Sequence, residues 1–315
     1  MRQRNRGTIL YYLSWVLIVL VVLTALLGSW IKPHGLSDPD KIHLHQEMVD
    51  GKMKYKSPPF EPNADFMLGT DHRGYDVFSL LLNGMKYTLG YALLLTLFRF
   101  LIALPWGVWT GTTGKGGGLL RYMQWVISAV PAFLFLYPPL AGMYYGLGLD
   151  AAAKADPSYK MLFTVTFYVM VTFVGVFPLA YQLRERARFY HDKLYVDVSR
   201  LMGGSLRHRI VRHVLPNMRL ELLFLFLSEF VQVLFLMGQL AVFKIMIGGA
   251  ETLEVDLGEY MEITATGEWN SLLAYGIEYI RQYPWIILSA STSLFLLILS
   301  VQFFLAQLKR RFGGV

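Results

Sequence analysis

The sequence contains no cysteine and few charged residues. Of its 315 residues, 16% are Asp, Glu, Lys or Arg, whereas 55% are hydrophobic. The absence of cysteine excludes disulfides, thiolate metal sites, iron–sulfur clusters and a cysteine nucleophile. Because soluble domains carry about a quarter of charged residues, this balance favours a membrane protein.

Long apolar stretches support this assignment. A helix needs roughly 20 mostly apolar residues to cross a hydrocarbon core, and six stretches qualify: 9–31, 87–111, 119–147, 161–181, 217–247 and 283–306. The first is too long for a signal-peptide core and no small-residue cleavage site is clear after it, so we interpret it as an uncleaved anchor. Pro131 and the pair Pro138-Pro139 predict a kink in the third. We therefore expect an all-α polytopic membrane protein with six transmembrane helices.

The positions of Lys and Arg predict the orientation. Most of them fall in segments that share one side of the membrane, namely the N-terminus, the turn near Lys115, residues 184–219 and the C-terminus. The other connecting segments are net acidic, so the positive-inside rule places both termini in the cytoplasm. The formal charge of +7 then reflects membrane orientation, and no nucleic-acid partner is expected.

The same pattern predicts the organisation of the chain. We expect a cytoplasmic tail and anchor helix over 1–31, an extracytoplasmic loop over 32–86, and a core of five further spans over 87–306. A cytoplasmic loop over 182–217 interrupts this core, and a basic cytoplasmic tail over 307–315 follows it.

The cytoplasmic loop is periodically apolar as well as basic. Leu194, Val198, Leu201 and Met202 recur at the spacing of one helix face. The pair Gly203-Gly204 breaks this helix, and Gly203 suits a left-handed residue after a helix C-terminus. These residues predict a short helix that ends in a glycine turn.

A second short helix is predicted after the turn. Ser205 suits its N-cap, and Pro216 lies where the next span begins. An apolar face is formed by Leu206, Ile210, Val211, Val214 and Leu215, and the basic residues lie elsewhere on the helix. This helix–glycine–helix is either an interfacial loop held by anionic lipid headgroups or a docking segment for a cytoplasmic partner that moves the spans.

Three stretches resemble a known family. Residues 195–217, YVDVSRLMGGSLRHRIVRHVLPN, resemble the EAA loop of ABC importer permeases. Residues 68–84, LGTDHRGYDVFSLLLNG, are similar to the motif before the second span of dipeptide, oligopeptide and nickel permeases. The stretch from Glu268-Trp269 to Pro284-Trp285 is similar to the motif before their last span.

The resemblance implies the type I importer permease fold and a transport function without an enzymatic site or cofactor. Its implied partners are a homologous second permease, two cytoplasmic ABC ATPase subunits and an extracytoplasmic binding protein, in a bacterial cytoplasmic membrane. The implied substrate is a peptide or similar small solute, with nickel or a metal chelate as the alternative. The residues implied to contact the ATPase are Tyr195, Asp197, Arg200, Gly203, Gly204, Ser205, Arg212, Pro216 and Asn217.

A glycine-rich stretch from Gly111 to Gly118 is superficially like a phosphate-binding loop. The Walker A motif requires a glycine where Trp109 stands and a hydroxyl residue where Gly116 follows Lys115. We therefore expect a flexible cytoplasmic turn, and an ATPase site on another chain.

Two charged residues lie inside predicted spans. Arg99 and Glu229 are equally far from the cytoplasmic ends of their spans, so they lie at matching depth. Because charges in a bilayer are costly, we predict an ion pair with Gln232 nearby on the same helix; the alternative is that each faces a hydrated pathway. An ion-coupled secondary transporter would use these charges as its relay, but it has no use for the docking segment.

The predicted external loop contains His34, His43, His45 and His72. The spacing of His43 and His45 puts both on one side of a strand, as a Ni²⁺ or Zn²⁺ site requires. Surface histidines are more common than metal ligands, so we assign no metal site. Serines and histidines fall mainly on opposite sides of the membrane, so no catalytic residues are assigned either.

Overall fold

A computed structural model describes residues 2–37, 45–49, 52–147, 156–245, 247, 250–256, 259–264 and 266–313. Its elements are α1 (Arg2–Ile31), β1 (His45–Val49), β2 (Lys52–Lys56), α2 (Val77–Thr113), α3 (Gly117–Ser128), α4 (Ala132–Gly146), α5 (Pro157–His191), α6 (Leu194–Leu201), α7 (Leu206–Arg209), a π-helical turn (Ile210–Val214), α8 (Leu215–Asn217), α9 (Arg219–Val242), β3 (Ala250–Asp256), β4 (Glu259–Thr264), α10 (Trp269–Glu278) and α11 (Pro284–Phe312).

The predicted polytopic helical class is confirmed. Among the described residues, five helices, α1, α2, α5, α9 and α11, are long and apolar enough to cross a membrane, and α3 with α4, bent by 75° at a short break, brings the number to six when the pair counts as one span. The bend lies at Pro131, whose carbonyl accepts the N–H of Leu134 at 2.9 Å to begin α4. Because proline has no N–H to continue the preceding helix, the predicted kink is a break.

Several helices extend beyond the apolar stretches. Helix α2 begins at Val77 rather than at 87, because the Asp76 carboxylate accepts the N–H groups of Phe78 at 3.2 Å and Ser79 at 3.1 Å as an N-cap. Helix α5 continues to His191 rather than ending at 181, and α11 continues to Phe312. Hydropathy marks only the part of a helix that suits lipid, so these polar extensions were outside the predicted spans.

Two antiparallel hairpins add strands to the helical fold. Strand β1 pairs with β2 from His45 opposite Lys56 to Val49 opposite Lys52. Strand β3 pairs with β4 in the segment before α10, with a register shift between Glu254 and Asp256. His43, proposed with His45 as a metal pair, lies outside the described residues.

The chain folds as two compact units. The first comprises Met1–Tyr91, Tyr144–Lys160 and Met237–Phe304. Its buried side chains include Val77 and Leu80 of α2 and Trp269, Leu272 and Tyr275 of α10. This unit therefore holds both motifs that resemble the peptide and nickel permeases.

The second unit comprises Ala92–Met143, Met161–Leu236 and Leu305–Val315. Its buried core joins the ends of several helices to the helix–glycine–helix segment, and is formed by Ala103, Val108, Leu120, Val176, Leu179, Ala180, Leu183, Ala187, Val196, Val214 and Met218. The predicted coupling residues and both intramembrane charges belong to this unit.

Candidate functional site

The first short helix carries an apolar face that is largely uncovered by the described part of the chain. Leu194 is 82% exposed, Leu201 86% and Met202 83%, while Val198 is 53% exposed. The helix is anchored from its other side by Val196, which is completely buried. A contiguous exposed apolar patch of this kind marks an interaction surface. We call these four exposed residues the docking face.

The glycine turn after α6 is a Schellman motif. Gly203 has φ of 84°, the left-handed conformation predicted for it. The N–H of Gly203 donates to the carbonyl of Arg200 at 3.0 Å, and that of Gly204 to the carbonyl of Ser199 at 2.8 Å. A Cβ on Gly204 would lie 2.6 Å from the Ser199 carbonyl oxygen. Both glycines are therefore required, one for its conformation and one for a close backbone approach.

The second short helix begins as the sequence predicts. The hydroxyl of Ser205 accepts the N–H of His208 at 3.2 Å and so caps α7. Unlike that of α6, most of its apolar face packs inward: Val214 is completely buried, with Ile210 and Leu215 packed against the same core, whereas Val211 is 57% exposed. Both helices thus anchor the segment to the core, and α6 also presents the docking face.

Where the second helix meets α9, it widens into a π-helical turn over Ile210–Val214, closed by the N–H of Leu215 donating to the carbonyl of Ile210. Pro216 explains the position of this turn, because its ring would otherwise clash with the carbonyl four residues earlier. The Asn217 side chain donates to the carbonyl of His213 at 2.6 Å. Pro216 and Asn217 therefore shape the segment locally.

The remaining predicted coupling residues lie on its surface. Asp197 and Arg200 are exposed on α6, at the acidic first turn and basic last turn that suit the helix dipole. Arg212 is also exposed. Tyr195 is 39% exposed, and its ring lies 6.2 Å from that of His213. These side chains are available to a partner.

The two intramembrane charges are in direct contact. Nη1 of Arg99 donates to Oε1 of Glu229 at 2.5 Å, and their side chains are each 4% exposed. Nη2 and Nε of Arg99 also donate to the carbonyl of Val171 on α5, at 2.7 and 3.2 Å. All three nitrogens of the guanidinium are thus bonded, and the cluster joins α2, α5 and α9.

Gly175 makes room for this cluster. A Cβ at this position would lie 2.1 Å from Cζ and from Nε of Arg99, so only glycine lets the guanidinium lie against α5. Gln232 is not part of the cluster. Its side chain is exposed and makes no hydrogen bond within the described part of the chain.

The two motifs of the first unit pack against each other. The Glu268 carboxylate is completely buried. It caps α10 by accepting the N–H groups of Asn270 and Ser271, and it also accepts the Thr88 hydroxyl at 3.0 Å. A Cβ on Gly84 would lie 1.7 Å from the Gly267 carbonyl oxygen. The sequence stretches 68–84 and 268–285, distant along the chain, therefore form one structural element.

A histidine lies within a group of tyrosines in this element. His72 Nδ1 hydrogen-bonds the Tyr275 hydroxyl, and its ring is 4.7 Å from the Tyr279 ring and 4.9 Å from the Tyr283 ring. Burial lowers the pKa of His72 to about 4 and raises that of Tyr275. His72 is therefore neutral at pH 7 in the folded protein.

This neutral histidine predicts acid sensitivity. Its pKa in the folded protein is about 4, below the ordinary 6.5, so the unfolded chain binds more protons between these values. Stability is therefore complete above pH 6.5 and declines as the pH falls towards 4. Thermal unfolding at pH 7.5 and 5 should show a smaller acid-induced decrease in His72→Phe than in the wild type. His208→Phe, an exposed control, should behave as the wild type, and an unchanged decrease in His72→Phe would contradict this role.

A second described histidine of the predicted external loop, His34, pairs with a carboxylate. His34 Nδ1 lies 3.1 Å from the Asp76 carboxylate, and this contact ties the end of α1 to the start of α2. Among the described residues, no group of three or more His, Asp or Glu side chains is placed to hold a metal ion.

Three residues important to these sites were missed by sequence reasoning. Val196 anchors α6, but its position off the apolar periodicity gave no signal. Gly175 stands alone in an apolar span, and an isolated glycine there is a recognisable sign of close approach. Arg184, which lies against the start of α3, was interpreted only as a cytoplasmic charge.

Five or six apolar helices long enough to cross a membrane, with an exposed apolar face on α6, define a multi-pass membrane protein with an interaction surface. Residues 103–314 match the family model described as "Binding-protein-dependent transport system inner membrane component". The chain belongs to this family, and it is a multi-pass inner membrane transport protein.

Named relatives are consistent with this family. The chain is 24% identical over 285 residues to the peptide transport system permease protein SapC of Escherichia coli O6:H1, covering 89% of this chain and 82% of the relative. It is 23% identical over 307 residues to SapC of Haemophilus influenzae, covering 95% and 89%. A putative peptide transport system permease protein of Brucella suis is 25% identical over 220 residues, covering 69% and 61%.

Proposed function

We propose that the chain is the permease subunit of an ATP-binding cassette importer that carries peptides across the inner membrane. The peptide substrate is inferred from the relatives, whose names describe peptide transport permeases. A second homologous permease completes the pathway, two separate ATPase subunits supply the energy, and an extracytoplasmic binding protein delivers the substrate. Both termini and the segment 182–217 face the cytoplasm.

The observation that carries this proposal is the docking face on α6. Leu201 and Met202 are more than four-fifths exposed, yet the helix that bears them is fixed to the core by the buried Val196 and by the Schellman turn at Gly203. A lipid-bound loop needs no such rigidity, whereas a segment that transmits a displacement does. The docking interpretation is therefore favoured over the interfacial one.

The alternatives fit less well. Every nitrogen of the Arg99 guanidinium is bonded within the chain, an arrangement that suits a fixed structural pair better than the relay of an ion-coupled transporter. A nickel or metal-chelate substrate finds no counterpart in the names of the relatives given above. The uptake experiment distinguishes the ion-coupled transporter and the nickel or metal-chelate permease from a peptide importer.

Uptake by the complete transporter tests the proposal. The chain, its partner permease, both ATPases and the binding protein are reconstituted in proteoliposomes, and accumulation of a labelled peptide library and of ⁶³Ni²⁺ is measured with and without ATP. We expect ATP-dependent accumulation of peptides that disappears when this chain is omitted. ATP-independent accumulation driven by an ion gradient, or accumulation of nickel alone, would contradict the proposal.

A further inference from the structure

A buried arginine beside the glycine-rich turn has unused hydrogen-bonding capacity. Arg184 on α5 is 6% exposed. Its Nη1 pairs with the Glu185 carboxylate, and its Cζ lies 5.9 Å from the Tyr181 ring centroid. Its Nε is buried without a hydrogen-bond partner, and its Nη2 donates to no acceptor within the described residues. An unpaired buried donor on a charged group is costly, so Nε calls for an acceptor, and the neighbouring Nη2 also has unused capacity.

The unpaired nitrogens lie on the first turn of α3. A Cβ at Gly117 would lie 2.6 Å from Nη2 and 2.7 Å from Nε of Arg184, so glycine at 117 lets the guanidinium approach the backbone. Gly116, with φ of 73°, supplies no side-chain cap, and the first helical bond runs from Leu120 N–H to the Gly116 carbonyl at 3.2 Å. Within the described chain, the N–H groups of residues 117–119 have no acceptor.

This arrangement is electrostatically unfavourable on its own. The N-terminus of a helix carries a partial positive charge, and a guanidinium placed against it is repelled. The Glu185 carboxylate offsets only Nη1, at the edge away from the unpaired nitrogens. An anion beside the guanidinium that also accepts from the first-turn N–H groups of α3 would bind both sets of donors and offset the repulsion.

We propose that Arg184 and the first turn of α3 bind a phosphate group. Phosphate has enough acceptor oxygens for a guanidinium edge and several backbone N–H groups at once. Exposed Lys115 and Arg121 add attraction for an anion. Trp109 is 48% and Tyr122 61% exposed, as aromatic residues are at a membrane surface. The phosphate therefore comes from a phospholipid headgroup or from solution.

A phosphate at the start of α3 would lie close to the core that anchors the helix–glycine–helix segment. Leu120, one turn into α3, belongs to the same buried core as Val196 and Val214, which anchor the helix–glycine–helix segment. A bound phosphate would hold the start of α3 in place. It would thereby stabilise the part of the buried core against which the helix–glycine–helix segment packs. This site lies beyond the proposed transport function and does not depend on the identity of the transported solute.

Binding to the purified transporter tests the proposal. The complete complex in phosphate-free detergent buffer is titrated with dioctanoyl phosphatidylglycerol, with inorganic phosphate and with dioctanoylglycerol, a matched lipid without phosphate, by isothermal calorimetry. We expect phosphatidylglycerol or inorganic phosphate to bind and dioctanoylglycerol not to bind. Arg184→Gln should weaken binding about tenfold or more, because a charged hydrogen-bonding partner is lost.

Gly117→Ala provides a second variant that keeps every charge, and should weaken binding to a similar degree by displacing the guanidinium. The matched controls are Gly142→Ala, where a Cβ meets nothing within 4 Å, and Arg188→Gln, one turn along α5 with a side chain 57% exposed; both should bind as the wild type. Binding of phosphatidylglycerol that inorganic phosphate displaces supports a lipid source, and binding of inorganic phosphate alone supports a soluble one. Absence of binding by both probes, or equal binding by wild type, Gly117→Ala and Arg184→Gln, would overturn the proposal.

Discussion

Replacing Glu229 with methionine should strongly destabilise the membrane-embedded protein. The substitution leaves the Arg99 guanidinium buried, with 3% of the residue exposed, and without a counter-charge. Removing one partner of a buried ion pair costs about 3–5 kcal/mol, a large fraction of the stability of a typical protein. We expect a lower thermal midpoint and less folded protein in the membrane, measured by fluorescence-detected gel filtration after heating.

Removing both charges should restore much of this stability. In Arg99→Met with Glu229→Met no buried charge is left unpaired, and apolar replacements of buried pairs are often neutral or stabilising. Exchanging the two charges should rescue less completely, because a carboxylate at 99 would face the Val171 carbonyl that Arg99 now donates to at 2.7 Å. Either double variant should still exceed both single variants.

The control and the contradicting result follow from the geometry of α9. Gln232→Met changes an exposed residue on the same helix and should alter stability little. If Glu229→Met were as stable as Gln232→Met, the two charges would not depend on each other. The alternative, in which each faces a hydrated pathway, would then be correct.

The second large effect is expected at the docking face. Leu201→Asp with Met202→Asp should abolish ATP-dependent uptake while leaving insertion and folding unchanged. Burying a Leu or Met side chain contributes about 1.5–3 kcal/mol, so losing two corresponds to at least ~100-fold weaker association with the ATPase. Because both side chains are more than 80% exposed in the chain itself, its own core does not depend on them.

Two comparison variants separate this effect from misfolding. Leu201→Met keeps an apolar surface and should retain uptake. Gly203→Val forces a β-branched residue into a φ of 84°, at a cost of about 1–3 kcal/mol, and should impair coupling by disordering the turn. Normal uptake by the double aspartate variant would show that α6 does not dock a partner through this face.

The local chemistry of the helix–glycine–helix was predictable because it depends on neighbouring residues. The left-handed Gly203 and the cap by Ser205 follow from backbone sterics and short-range hydrogen bonds. The packing of its faces was not predictable in the same way. Periodicity identified the apolar faces of both helices. Only the tertiary structure reveals that Val214 is buried and Leu201 is exposed, because an amphipathic pattern does not specify which part of the protein covers an apolar face.

For the cluster around Arg99 and Glu229, too, the sequence predicted one part of the arrangement and only the tertiary structure revealed the rest. Matching depth was sufficient to predict contact between Arg99 and Glu229, since both must avoid lipid. Depth says nothing about rotation around a helix, so the sequence did not predict that the Gln232 side chain is exposed and bonds to neither charge. The Val171 carbonyl and Gly175 depend on which face of α5 meets α2, and the start of α2 at Val77 depends on the Asp76 cap rather than on hydropathy.

Cross-linking from the docking face tests most directly the central claim that α6 contacts the ATPase. Because the sequence contains no cysteine, an introduced cysteine is the only thiol of the chain. Leu201→Cys places a single thiol on the docking face, and Leu288→Cys places one on α11, at a site 61% exposed. With benzophenone maleimide coupled to this single thiol and activated by light in the assembled transporter, we predict a covalent product between the ATPase and the chain bearing Leu201→Cys, and none with Leu288→Cys. Absence of an ATPase product from position 201 in a transport-active complex would contradict the account.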